Sequence, residues 1–212
     1  QRTIDVRPDE TALGEFGRLA RTAVSRAPGG YSDPAGLKEL REAVARHLRK
    51  SRGIDVDATG IIIVNGSQQA LYLIASTLLS PEDSVIIEDP HYQGARQIFA
   101  AFGATLVASP VDEFGLRIPD PRAPAAAGSR MIYVTPSHQF PTGVLMSLAR
   151  RAELIRYAEQ NDVRIIEDDY DSEYRHDSRP TEALRSLDPH GLVFYIGTFA
   201  KSFHAALRLG YL

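Results

Sequence analysis

Short apolar runs alternate along this chain with stretches of helical periodicity. Residues 61–64, Ile-Ile-Ile-Val, form a compact β-branched run bounded by glycines, which predicts a strand buried on both faces. Leu71, Ile74, Ala75 and Leu78 then recur at helical spacing, so the turn Asn65-Gly66-Ser67-Gln68 falls between a strand's carboxyl end and a helix's N-terminus. The rhythm repeats with a strand over 84–87, a helix carrying Ala95, Ile98, Phe99 and Phe102, and a strand over 105–108. A strand over 131–134 precedes a helix opening at Ser147, and 163–166 and 192–196 supply two further apolar strands. Upstream, Asp33-Pro34 reads as an N-cap and first-turn proline for a helix with Leu37, Leu40, Val44 and Leu48 on one face. An irregular opening with Pro8, Pro28 and Gly29-Gly30 comes before it, and 119–129, rich in Pro, Ala and Gly, reads as a surface connection.

Strands alternating with helices predict an α/β fold of three αβα layers, with a mainly parallel sheet and right-handed crossovers. Ligands in such sheets bind beyond the carboxyl ends of the strands. Polar clusters recur there: Gly66-Ser67-Gln68, Asp89-Pro90-His91-Tyr92, Thr135-Pro136-Ser137-His138-Gln139, Glu167-Asp168-Asp169-Tyr170, and residues 198–201. Five loops therefore converge on one edge.

Composition narrows the function classes. At 212 residues the chain makes one large domain or two small ones, with 43% hydrophobic and 24% charged residues, ordinary for a soluble protein. A formal net charge of -3 gives no electrostatic reason to bind nucleic acid, so any DNA-binding function has to lie elsewhere. No cysteine is present, which fits a reducing compartment, and no apolar stretch reaches the length of a membrane span or marks the polar start as a signal peptide. The chain reads as cytoplasmic.

The candidate chemistry centres on Gly197-Thr198-Phe199-Ala200-Lys201-Ser202-Phe203 with Arg208. A lysine amine captures a carbonyl as a Schiff base, and an aldehyde cofactor with a phosphate needs further groups for its anionic end. Thr198 and Arg208 suit phosphate oxygens, although Arg208 could equally pair with a surface carboxylate. Ser67 and Gln68 at a helix N-terminus form an anion site by geometry and dipole, or Ser67 is simply the cap. Asp168 and Tyr170 fall on one side if their strand continues. A buried Asp168 needs a cation, which a protonated pyridine supplies; divalent metal or a solvated acidic turn are the alternatives. Tyr92 suits stacking on a flat ring or a half-buried core position. His91 and His138 lack metal-ligand spacing.

These motifs make the chain resemble fold-type I pyridoxal phosphate aminotransferases, and in particular the aminotransferase-like domain of MocR-type regulators in the GntR family. The resemblance spans nearly the whole chain. It rests on Tyr31-Ser32-Asp33-Pro34-Ala35-Gly36-Leu37, Gly66-Ser67-Gln68-Gln69-Ala70-Leu71, Glu88-Asp89-Pro90-His91-Tyr92, residues 135–143, residues 167–173, and the Lys201 segment with Arg208. It implies pyridoxal 5'-phosphate bound covalently at Lys201, Asp168 on the pyridine nitrogen, Tyr170 near the phenolic oxygen and Tyr92 stacked on the ring. Ser67, Gln68, Thr198 and Arg208 would hold the phosphate. Tyr31 would reach the phosphate of the neighbouring subunit in a homodimer.

Where aminotransferases read Asn-Pro-x-Gly, this chain reads Phe140-Pro141-Thr142-Gly143, so the asparagine donor to the phenolic oxygen is absent. His138 or Gln139 is a candidate replacement. The Ser-His-Gln-Phe-Pro pattern is that of the regulators, and it implies an effector-sensing domain responding to an amino compound or to the cofactor; a working aminotransferase is the alternative. By the resemblance, residues 1–30 lead into a large domain over 31–212. A winged helix-turn-helix that would contact DNA, and a small C-terminal domain, are both missing from it.

Overall fold

The computed structural model describes residues 10–26, 30–31, 33–123, 126–171, 182–201 and 207–212. Two helices open it, α1 (Glu10–Arg26) and α2 (Lys38–Arg52). There follow β1 (Ile63–Val64), α3 (Ser67–Leu78), β2 (Ser84–Asp89), α4 (Gln93–Ala101), β3 (Thr105–Asp112), β4 (Gly115–Leu116) and β5 (Ser129–Val134). The rest comprises α5 (Leu148–Asn161), β6 (Arg164–Asp169), the single turn α6 (Leu184–Leu187), β7 (Val193–Thr198) and β8 (Gly210–Tyr211).

The strands form one eight-stranded sheet in the order β1-β8-β7-β6-β5-β2-β3-β4. Its centre, from β7 through β6, β5 and β2 to β3, is parallel, while β1, β8 and β4 pair antiparallel. Both faces of this parallel core are covered, as its continuous apolar strands require. On one side Val85, Ile87, Met131, Tyr133, Ile166 and Ile196 pack on Leu71 and Ile74 of α3 and Phe99 of α4. On the other, Ile86, Ile132, Val134 and Ile165 meet Leu154 and Ala158 of α5 and Leu184 of α6. A third cluster joins Val44 and Leu48 of α2 to Ile61, Tyr195 and Tyr211. Each fully buried Leu, Ile or Val side chain contributes about 1.5–3 kcal/mol, so α3, α4 and α5 are held by packing.

Four expectations change. Residues 61–64 are not a doubly buried strand: β1 spans only Ile63–Val64, at the sheet edge, and Ile62, which exchanges backbone hydrogen bonds with Leu212, is 38% exposed. An edge strand has a neighbour on one side only, which β-branched composition cannot reveal. Asp33 does not cap α2, whose N-cap is Leu37. It instead closes a turn, accepting from the Ala35 N–H at 2.9 Å, and pairs with Arg41 Nη2 at 2.6 Å. The opening is not wholly irregular, since α1 occupies much of it with Leu19 and Val24 exposed. Finally, 119–129 is not pure surface, because Ala126 is buried in the core beside Ile132. Ser147 caps α5 as expected, its hydroxyl accepting from the Arg150 N–H.

Candidate functional site

Strand register assembles the site. Val64 of β1 pairs with Gly210 of β8, Gly210 pairs with Thr198 of β7, and β7 runs beside β6 through Asp168 and Asp169. The β1–α3 turn, Arg208, Thr198 and Lys201, and the end of β6 therefore lie side by side along one sheet edge. Close approach demands glycine here: a Cβ on Gly210 would sit 3.0 Å from Gly66 Cα and 2.9 Å from the Gly197 carbonyl oxygen. Gly66 has φ +93, open to glycine without strain.

Gly66 is the N-cap of α3, so Ser67 is the first helical residue and not the cap. The intrahelical bonds begin with Gln69 and Ala70, whose N–H groups donate to the Gly66 carbonyl. The Ser67 and Gln68 N–H groups precede them, at the positive end of the helix. Arg208 lies against this turn, donating from Nη2 to the Asn65 carbonyl at 3.3 Å, and it pairs with no carboxylate among the described residues. The Thr198 hydroxyl accepts from the Ala200 N–H at 3.1 Å, fixing the turn that carries Lys201. Lys201 is half-buried. Ser202 lies outside the described residues.

An aromatic slot adjoins this corner. Gln68 Nε2 donates to the Tyr92 hydroxyl at 3.1 Å. The Phe140 ring stands edge-on to Tyr92 (5.6 Å, 82°) and to Tyr170 (6.1 Å, 83°), so three rings meet at right angles. Burial, then the neighbouring Asp171 and Asp168 charges, raise the Tyr170 pKa and keep its phenol protonated. Gly94 is the floor of the slot, a role no sequence signal announced. A Cβ there would lie 2.4 Å from Gln68 Nε2 and 2.5 Å from the Tyr92 ring. Gly94→Ala is therefore expected to displace Tyr92 or Gln68 and weaken ring binding about tenfold, the scale of overpacking costs of about 1–3 kcal/mol. Titration with pyridoxal phosphate beside a thermal melt checks this, because alanine by itself favours the helix.

The strand β6 ends at Asp169, one residue short of Tyr170, so strand alternation does not set the side that Tyr170 faces; all three carboxylates are buried. Tyr133 donates its hydroxyl to Asp168 Oδ2 at 2.8 Å, while Asp168 Oδ1 is buried without a hydrogen-bond partner among the described residues. Burial lifts the Asp168 carboxyl from the usual 3.8 to about 7. Glu167 and Asp169 are handled differently. Glu167 accepts from the Leu184 and Arg185 N–H groups at 3.0 and 2.9 Å and lies 3.7 Å from Arg151. Asp169 takes Arg52 at 2.9 Å and the Tyr195 hydroxyl. Of the three, Asp168 alone has no cation among the described residues. No group of three His, Cys, Asp or Glu side chains is arranged to hold a metal ion among the described residues.

Both candidates for the missing asparagine's part already have partners within the chain. The His138 Nδ1 contacts Asp171 at 2.9 Å, and the Gln139 amide nitrogen is spent on Glu88 and the Pro90 and Phe140 carbonyls. Tyr31 is fully exposed. A separate groove of about 370 Å³, lined by Leu48, Ile61, Tyr195 and Tyr211, contains none of the candidate residues. No helix among the described residues is long and apolar enough to cross a membrane.

The family model "Aminotransferase class I and II" matches residues 18–212. The chain belongs to the class I and II aminotransferase family. Among solved structures, this aminotransferase chain is similar to Pyrococcus horikoshii kynurenine aminotransferase in complex with PMP (31% identity, TM-score 0.87, covering 96% of this chain and 52% of that one). Curated relatives over the same region are transcription regulators. The probable rhizopine catabolism regulatory protein MocR of Rhizobium meliloti is 42% identical over 86% of this chain and 36% of its own length. The HTH-type pyridoxine biosynthesis transcriptional regulator PdxR of Corynebacterium glutamicum is 35% identical over 97% and 44% respectively. The chain thus spans well under half the length of these regulators. Its aminotransferase fold, a three-layer α/β architecture, is shared by enzymes and regulators alike.

Proposed function

We propose that this chain is the pyridoxal phosphate-binding, effector-sensing part of a MocR-type regulator of the GntR family. The observation that carries the cofactor is Asp168, a buried carboxylate with one oxygen held by Tyr133 and the other unpartnered among the described residues. A protonated ring nitrogen completes it, and the remaining residues fit the same group. Bound pyridoxal phosphate supplies an aldehyde that an amine captures and an electron-withdrawing ring. Lys201 supplies the amine; Ser67, Gln68, Thr198 and Arg208 surround the phosphate; Tyr92 and Phe140 enclose the ring and exclude water; Tyr170 donates to its phenolic oxygen. Tyr31, being exposed, suits the phosphate of a second subunit in a homodimer.

What favours sensing over turnover is Phe140. An apolar ring stands where a donor would be, and the Gln139 amide is committed to other partners. The proton balance needed for efficient amino transfer therefore lacks one of its supports. DNA contact would come through a separate winged helix-turn-helix, in the cytoplasm, with an amino compound or the cofactor itself as effector. The intact set of Lys201, Asp168 and Tyr170 supports the second reading, a working aminotransferase acting on an amino acid and a 2-oxo acid.

The test uses the whole protein loaded with pyridoxal phosphate, a panel of amino compounds, and DNA flanking its own gene. A change in DNA affinity of about fivefold or more, typical of allosteric coupling, with negligible 2-oxo acid formation, is the expected result. Sustained turnover with no DNA response would establish the enzyme instead.

A further inference from the structure

Glu88 is buried at the end of β2, four residues before Tyr92, and contacts none of the cofactor candidates directly. Its Oε2 gathers three donors from the loop after β5: the Thr135 N–H at 3.2 Å, the Thr135 hydroxyl at 2.8 Å and Gln139 Nε2 at 3.2 Å. Those two residues pass the connection onward. The Thr135 hydroxyl oxygen accepts from the Phe140 N–H at 2.9 Å, and Gln139 Nε2 also donates to the Pro90 and Phe140 carbonyls, each at 2.7 Å. Gln139 Oε1 accepts from the Thr142 N–H at 3.1 Å and hydroxyl at 2.6 Å. One buried polar hub thus joins the loop that carries Tyr92 to the loop that carries Phe140. These are the two rings that meet edge-on at 5.6 Å.

We propose that Glu88 is a positioning residue: with Thr135 and Gln139 it holds Phe140 edge-on against Tyr92, and so fixes the aromatic corner in which a flat heteroaromatic ring is received on the Tyr92 face. The network is satisfied on Glu88 Oε2 alone, Oε1 being buried with no hydrogen-bond partner among the described residues, and a buried network rigidifies what it connects and is expensive to break. The hub makes no hydrogen bond to the phosphate corner, whose residues sit at the start of α3, at the end of β7 and just before β8. The ligand class follows from the aromatic corner, namely a planar ring received on an aromatic face, while the identification of that ring as pyridoxal rests on the reading above. Burial also raises the Glu88 carboxyl from 4.5 to about 7, in keeping with a side chain retained for its contacts despite the cost of holding it there.

The experiment compares Glu88→Ala, Glu88→Gln and Thr135→Val in the whole protein. Glu88→Gln keeps an oxygen acceptor in place and is expected to bind pyridoxal phosphate within about threefold of wild type. Glu88→Ala and Thr135→Val are expected to bind it about tenfold or more weakly, a loss on the scale of one or two buried hydrogen bonds. Competition by inorganic phosphate separates the aromatic corner from the phosphate corner: its inhibition constant should move by less than about twofold. If the variants lose phosphate and ring together, or if neither is lost, the hub does not position the aromatic corner. Should Glu88→Ala fail to melt cooperatively, Thr135→Val carries the same expectation. The ligand-free protein gives an independent reading. The chain has no tryptophan, so its near-ultraviolet circular dichroism comes from Tyr and Phe. Glu88→Ala and Thr135→Val should diminish that signal and Glu88→Gln preserve it; an unchanged spectrum overturns the hub. Absence of any pyridoxal phosphate binding by wild type would instead overturn the functional reading and leave this spectral comparison to decide the hub.

Discussion

Asp168→Asn is expected to make the ligand-free protein more stable at pH 8 and its cofactor binding about a hundredfold or more weaker. The two effects have one origin. Asp168 is buried, satisfied by Tyr133 on one oxygen and, among the described residues, by nothing on the other, and burial raises its pKa from 3.8 to about 7. A carboxyl whose pKa is raised on folding holds its proton more tightly when folded. Its stabilising contribution is complete below the ordinary pKa and disappears as pH rises through about 7. Glu88 and Glu167, also raised to about 7 by burial, slope the same way. The empty protein should therefore melt lower at pH 8 than at pH 5. An asparagine carries no charge to bury, so the variant should show a shallower pH slope and a melting temperature higher by several degrees at pH 8, at about 2–4 °C per kcal/mol for a domain of this size. Binding moves the other way. A cationic ring nitrogen that meets an amide loses its counter-ion in a buried site, where breaking such a pair costs about 3–5 kcal/mol. A variant both less stable and weaker in binding would show that Asp168 serves the fold and not a cation.

Lys201→Ala is expected to abolish covalent capture outright. After incubation with pyridoxal phosphate and reduction with borohydride, the wild-type protein should gain the mass of one phosphopyridoxyl group and the variant none. The chain is unusually favourable for this measurement, because it has only three lysines, Lys38, Lys50 and Lys201. Lys38 and Lys50 are exposed on α2, where Lys38 pairs with Glu42 at 3.8 Å. Lys201 is half-buried beside Thr198 in the turn after β7. Residual non-covalent binding should persist in the variant through Asp168 and the phosphate corner. A reducible adduct that survives in Lys201→Ala would place the amine elsewhere in the protein.

The sheet and its loops were legible because a parallel strand buried on both faces needs a continuous apolar run, and β2, β5, β6 and β7 each carry one. Lys201, Thr198, Asp168 and Ser67 could be placed at the sheet edge by following those strands to their ends. What escaped is whatever depends on partners distant in sequence. Ile62 is left exposed because β1 lies at an edge, a fact of strand order and not of composition. The cations for Glu167 and Asp169 were equally hidden: Arg151 and Arg52 lie on helices, where an arginine ordinarily reads as solvated. Three successive carboxylates on an apolar strand were the one available hint that buried arginines had to exist. Tyr133 carried a similar hint, a phenol within a fully buried strand that needed an acceptor. Glu88 and Gly94 carried none, since a hub and a floor are defined by what surrounds them.

The pairing of β1 with β8 also has a meaning for how the molecule comes together. In the sheet order, β8 is the sole neighbour of β1, and the hydrogen bond from Arg208 to Asn65 joins residues 143 positions apart. Contacts so remote in sequence carry a large loop-closure entropy and are made late. The turn at Ser67 thus leaves synthesis early but has no completed corner until Gly210 and Tyr211 arrive beside it. A chain interrupted between Arg208 and Gly210 would carry every candidate residue of this corner and still lack the strand that brings β1 beside β7, so the closed corner doubles as a report that β8 has been threaded home.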